Sequence, residues 1–218
     1  MRLKASILAA AGLALATLAP GAAGAATFAN GGFEFGFDDW TPSNDGLVFD
    51  VGEFNHRAAD NSLIEHFDPR EGDFLAYLQA DSSGAPTVLS QTFDTRGGVF
   101  SGWGAFLGRD AAQPDYGFIR IFNADLSVDI TLLSNTTSQV GGYGSTPALG
   151  RTFSALLGEG TYTLEIGVAN AGDGRNPSFI VVDGFKMAEV PEPGVWALML
   201  TGFFGMGAAL RRRRPLPA

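Results

Sequence analysis

The chain reads as an all-β, jelly-roll-like β-sandwich lying between two apolar targeting segments, and three observations carry that reading. Short runs rich in aromatic and β-branched residues are separated by Gly/Asn/Asp clusters, and 30 of the 218 residues are glycine. Alternation with period two is plain in Phe118-Ile119-Arg120-Ile121-Phe122 and Tyr162-Thr163-Leu164-Glu165-Ile166. Between the two ends almost nothing repeats apolar residues at helical spacing, so a two-layer all-β packing is expected.

Taken in order, Met1 to Ala25 is a signal peptide. Arg2 and Lys4 form its positive start, Ile7 to Leu18 its apolar middle, and Ala23-Gly24-Ala25 its small-residue cleavage site. The cut is expected after Ala25, with Ala26 as the next choice. An uncleaved anchor is the other option, but the apolar run is short for a span.

Residues 26–189 form the exported domain, enough chain for one substantial core. Strands are expected at Gly46–Phe54, Phe74–Gln79, Thr87–Phe93, Gly98–Leu107, Tyr116–Phe122, Ser127–Leu133, Thr161–Ala169 and Ser178–Met187. Asn44-Asp45-Gly46, Arg96-Gly97-Gly98, Gly158-Glu159-Gly160 and Ala171-Gly172-Asp173-Gly174 read as turns between them. Ser62–His66 fits a short helix or a strand. Asn135–Ser145 reads as a long polar loop.

Charge and cysteine content exclude several classes. Between Ala26 and Val190 the chain has 22 acidic and 8 basic residues, a net charge near −14. Such a surface repels the phosphate backbone and removes the electrostatic term that dominates nucleic-acid binding. With no cysteine there is no thiol catalysis, thiolate metal site or disulfide.

Residues 190–218 are a tail in three parts. Pro191-Glu192-Pro193 is a stiff, extended triplet. Val195–Leu210 follows as an apolar helix of roughly 24 Å, slightly short of a ~30 Å hydrocarbon core. Arg211, Arg212, Arg213 and Arg214 then form a basic end that belongs on the cytoplasmic side. This order resembles the PEP-CTERM sorting signal of exported proteins in Gram-negative bacteria. The resemblance implies export across the inner membrane and transient anchoring by the single transmembrane helix. It further implies cleavage near the triplet by an exosortase, and delivery to the cell surface or an extracellular polysaccharide or biofilm matrix. An ordinary single-span anchor is the alternative.

A second resemblance covers the exported domain. Asn30-Gly31-Gly32-Phe33-Glu34 with Gly36 and Trp40, and the closing run Ser178-Phe179-Ile180-Val181-Val182-Asp183-Gly184-Phe185, resemble the first and last strands of galactose-binding-like jelly rolls, which include many carbohydrate-binding modules. That resemblance implies a structural calcium between the two strands, mapped onto Glu34 and Asp183; solvated turn acids are the competing reading.

Other constellations point less sharply. His56 and His66 lack zinc-pair spacing and read as surface or loop residues, and no Gly-x-Ser-x-Gly elbow occurs. Trp40, Trp103, Tyr116, Tyr143 and Tyr162 could stack on sugar rings if exposed, Tyr143 being the least core-like. The expected function is a non-enzymatic surface or matrix component. A carbohydrate-binding module is the alternative and a glycan hydrolase, which needs two facing carboxylates, a remote one.

Overall fold

The computed structural model describes residues 27–58, 60–109, 115–141, 150–172, 175–189, 200–204 and 206. In chain order the strands are β1 (Thr41–Pro42), β2 (Val48–Val51), β3 (Phe54–Arg57), β4 (Leu63–Phe67), β5 (Leu75–Gln79), β6 (Thr87–Leu107), β7 (Tyr116–Phe122) and β8 (Asp129–Thr136). A four-residue helix, α1 (Thr137–Val140), precedes β9 (Arg151–Ala169) and β10 (Phe179–Glu189). All pairings are antiparallel, in the order β2-β5-β10-β6-β9-β7-β8, with β1 paired to Leu89 and Ser90 of β6 and a separate β3–β4 ribbon.

One continuous sheet becomes a sandwich because its two longest strands bend. β6 and β9 pair from Thr87↔Val168 to Gly104↔Arg151 in one register, and between Arg96↔Glu159 and Gly98↔Leu157 the ladder skips Gly97 and Gly158. Gly97 has φ +96° and Gly98 φ +155°, backbone that side chains resist. The inward-facing set changes phase there. Leu89, Gln91, Phe93 and Thr95 point in before the bend, and Phe100, Gly102, Gly104 and Phe106 after it. On a straight strand Phe93 and Phe100 would lie about 23 Å apart on opposite faces. Here their rings stack 5.9 Å apart.

One layer therefore holds β2, β5, β10, the second half of β6 and the first half of β9. The other holds β1, the remaining halves, β7 and β8. Side chains meet across the gap: a Cβ added at Gly104 would lie 2.7 Å from Ile119 Cδ1, and one at Gly117 would lie 2.5 Å from Phe106. The core between them holds Phe33, Phe93, Phe100, Ile119, Ile121, Leu164, Ile166, Val182 and Phe185, all buried.

Several expectations change. Arg96-Gly97-Gly98 and Gly158-Glu159-Gly160 are bends inside strands, not turns between them, so the runs at Thr87–Phe93 and Gly98–Leu107 are one strand and Thr161–Ala169 is half of another. The run from Gly46 to Phe54 divides into a 3-10 turn, β2 and the start of β3. Ser62–His66 is mostly strand, as β4, and the first two residues of the expected polar loop end β8 before α1. The opening segment is not a strand. It is a series of turns with positive φ at Asn30, Phe33 and Asp39. Asn30 Nδ2 donates to the carbonyls of Gly36 and Asp38, and Trp40 Nε1 donates to the Asn30 carbonyl. The segment still meets β10, through Phe185 N–H to the Gly31 carbonyl at 3.0 Å.

The signal-peptide residues, including Ala25 and Ala26, lie outside the described residues, as do the Pro191-Glu192-Pro193 triplet and Arg211–Arg214. Within the expected 195–210 helix, the described residues 200–204 and 206 are helical, with Leu200, Phe203, Phe204 and Met206 exposed. Among the described residues no helix is long and apolar enough to cross a membrane.

Candidate functional site

The outer face of the β5–β10–β6 layer carries a second apolar cluster of Phe67, Leu75, Trp103, Ala105, Leu107, Phe179 and Val181. The β3–β4 ribbon covers it, with Phe54 5.5 Å from Phe179 and Phe67 5.7 Å from Trp103, ring to ring. Where the ribbon ends, after Phe67, the chain turns through residues 68–74 and leaves a groove of about 180 Å³ beside Trp103.

The strands supply the groove's floor. Trp103 pairs with Thr152 on one side and Asp183 on the other, and Ser101 pairs with Lys186, so Ser101, Trp103, Thr152 and Lys186 line it. A register irregularity between Asp183 and Lys186 accompanies Gly184, which also lines the groove. The wall is Arg70 and Glu71. The Arg70 guanidinium lies 4.6 Å from the centre of the Trp103 ring system, a cation–π contact. Glu71 Oε2 pairs with Lys186 Nζ at 3.0 Å, both side chains about half exposed.

Two buttressing carboxylates hold that wall. Asp183 Oδ2 accepts the backbone N–H groups of Arg70 and of Glu71, the latter at 3.0 Å, and Oδ1 accepts that of Gly184 at 2.6 Å. Glu34 Oε1 accepts from Asp73 N–H at 2.9 Å and Phe74 N–H at 3.0 Å. Between these anchors sits Gly72 at φ +67°, where a Cβ would come within 2.2 Å of Glu34 Oε1; any side chain would push the turn off its clamp. Asp183 is fully buried, and burial pushes its carboxyl above the ordinary carboxylate range although three amides pull the other way.

Glu34 and Asp183, the pair expected to hold calcium, are thus brought to one turn. Calcium takes six to eight oxygens. Here two carboxylates face backbone amides, with three of their four oxygens already accepting, and among the described residues no three carboxylate or imidazole groups converge. As arranged, the three accepting oxygens clamp the loop.

The aromatic and histidine candidates separate. Trp40 and Tyr162 are core residues, and Tyr116 is half-buried on β7. Trp103 is 7% exposed, yet it floors the groove. Tyr143 lies outside the described residues. His56 is buried rather than on the surface, and burial, then Arg109, holds its imidazole below the ordinary value of 6.5. His66 sits in the ribbon with Nε2 2.9 Å from Asp68. Arg70, Glu71 and Lys186 escaped the sequence reading because no local pattern joins residues 70 and 186; the register of β10 on β6 does.

A larger cavity, about 530 Å³, opens at the bend and is lined by Thr27, Asp94, Thr95, Arg96, Glu159, Gly160, Thr161 and Glu189. It carries three carboxylates and no aromatic ring.

Comparison of the sequence with known protein families and with curated proteins finds no match. Solved structures are similar at low identity. TmCBM61 in complex with β-1,4-galactotriose is 14% identical over 76% of this chain and 99% of that one, at a TM-score of 0.46. The K3 cleaved adhesin domain of Lys-gingipain from Porphyromonas gingivalis is 13% identical over 73% and 97%, at 0.43. A family 16 carbohydrate-binding module is 13% identical over 74% and 98%, at 0.40. At these scores the similarity assigns no function.

Proposed function

We propose that the chain is an exported, non-catalytic carbohydrate-binding domain whose groove over Trp103 holds one sugar residue. The observation that carries this is the groove's composition. An indole, two hydroxyls and three charged side chains, with both donors and acceptors, border a space of about 180 Å³. Sugar rings offer an apolar face with a polar rim, and that lining complements both. The volume lies below the ~300–1,000 Å³ of drug-sized sites and suits a single ring. A hydrolase reading is weaker here, because the groove's one carboxylate, Glu71, is paired with Lys186 and a glycosidase needs two. The groove also favours sugar recognition over a matrix protein without a sugar site.

The test is a glycan-binding panel on the full-length chain in mild detergent, with Thr152→Trp to fill the groove from an exposed strand position. Thr131→Trp, on the other layer, is the control. Saturable binding lost only in Thr152→Trp is the expected outcome. Binding equal in both variants removes the groove assignment, and no binding to any glycan removes the sugar reading.

Delivery belongs to the same proposal. Helical residues with exposed Leu200, Phe203, Phe204 and Met206 support a C-terminal anchor, and the Pro191-Glu192-Pro193 triplet supports exosortase processing. Replacing the triplet with alanines is expected to retain the protein in the inner membrane; unchanged release from such cells rules processing out.

A further inference from the structure

Resting on that groove reading, we infer that the ligand is an acidic sugar, a uronate residue of a polysaccharide whose carboxylate is taken by Arg70 and Lys186. Charge placement is the first reason. Residues 26–190 hold only eight basic side chains against 22 acidic ones, yet two of the eight line this one small groove. In a field this negative, cations act on an anionic ligand only at contact range, since exposed charges are screened beyond about 8 Å at physiological salt.

Preorganisation is the second. Arg70 has its guanidinium carbon over the Trp103 ring and its own backbone N–H on Asp183, so both ends of the residue are held. Among the described residues its guanidinium has no carboxylate partner. A planar fork in this state matches a carboxylate with two parallel hydrogen bonds. Lys186 is engaged, but by an exposed partner. Exposed ion pairs contribute little, so a ligand carboxylate can displace Glu71 at small cost. Ser101 and Thr152 remain for ring hydroxyls. An acidic peptide would find no apolar side-chain pocket beside the indole.

The experiment compares pairs that differ only at C6. Methyl glucuronide is set against methyl glucoside and methyl galacturonide against methyl galactoside, titrated into the full-length chain in mild detergent and read by tryptophan fluorescence and NMR shifts. At least one uronide is expected to bind about tenfold or more tighter than its neutral partner, as for a charge-assisted hydrogen bond gained, and to weaken with added salt. Arg70→Gln is expected to abolish the preference and Arg70→Lys to lose most of it, because charge without the fork and the stack is insufficient. Lys186→Ala is expected to cost a few-fold, with melting temperatures reporting that each variant is folded. Equal or tighter binding of the neutral sugars, or a preference that survives Arg70→Gln in folded protein, overturns the acidic-sugar inference while leaving sugar binding intact. Binding of neither member of any pair overturns the inference; the glycan panel then reports separately whether the groove reading falls too.

Discussion

The two faces of the β5–β10–β6 layer are both apolar, but they are covered differently. The inner face meets the whole opposite layer of the same sheet, and a dense set of ring contacts joins Phe28, Phe33, Trp40, Phe93, Phe100, Phe153 and Phe185 across it. The outer face meets only a two-stranded ribbon, too small to be stable alone, and the cover stops beside Trp103. One surface is thereby closed on all sides, whereas the other has an edge, and the groove lies at that edge. The proposed sugar site sits where covering runs out.

The largest expected effect breaks the closed face. Phe100→Ala removes a fully buried ring in contact with Phe28, Phe93 and Phe185 and should cost about 3–5 kcal/mol of unfolding free energy, read by denaturant titration. On the open face, Phe67→Ala should cost less, about 2–3 kcal/mol, because the ribbon can settle into the space. Hydrogen exchange should then show β3 and β4 amides opening ahead of the sheet.

Acid sharpens the same contrast. His56, a buried residue of the ribbon strand β3, has a lowered pKa: the unfolded chain takes a proton near 6.5 that the folded chain resists. Its contribution is complete above 6.5 and is lost as pH falls through the folded value, so stability should decline on acidification and His56→Gln should flatten that slope. Asp183 works in the opposite direction. Its raised pKa gives a contribution that is complete below 3.8 and lost as pH rises through its folded value, so Asp183→Asn should alter the profile with the reverse sign. The smallest expected effect is none: because Glu34 and Asp183 serve amides, melting with chelator and with millimolar calcium should give the same midpoint, whereas a site at a hundredfold excess over Kd would add about 2.7 kcal/mol.

Strand content was legible where alternation was undisturbed. Tyr116–Phe122 appears with the expected limits because β7 lies between two partners and shows one face to the core. Glycine misled the reading at Gly97-Gly98 and Gly158-Glu159-Gly160, since a residue free to turn the chain is equally free to bend a strand that stays paired. The opening segment misled it differently: its apolar residues are buried by turns that Asn30 ties together, and no period marks them. Glu34 and Asp183 were visible as a pair, but whether they face a cation or an amide depends on the turn at residues 70–74, and nothing local encodes that meeting. Trp103 was visible as a tryptophan and not as a floor.

The position of the bend bears on how the domain would carry load. Thr27, near the start of the described chain, and Glu189, just ahead of the tail, line the same cavity there, so both connections leave from one pole. Between Glu189 and the groove lies only Lys186–Glu189, paired in register with Gly98–Ser101. For a domain tethered through its C-terminal tail and gripping a polymer in its groove, tension would run along this short piece of β10. It would pull parallel to the strand, so its ladder bonds would be sheared together rather than peeled one by one, and the rest of the sandwich would lie outside the line of force.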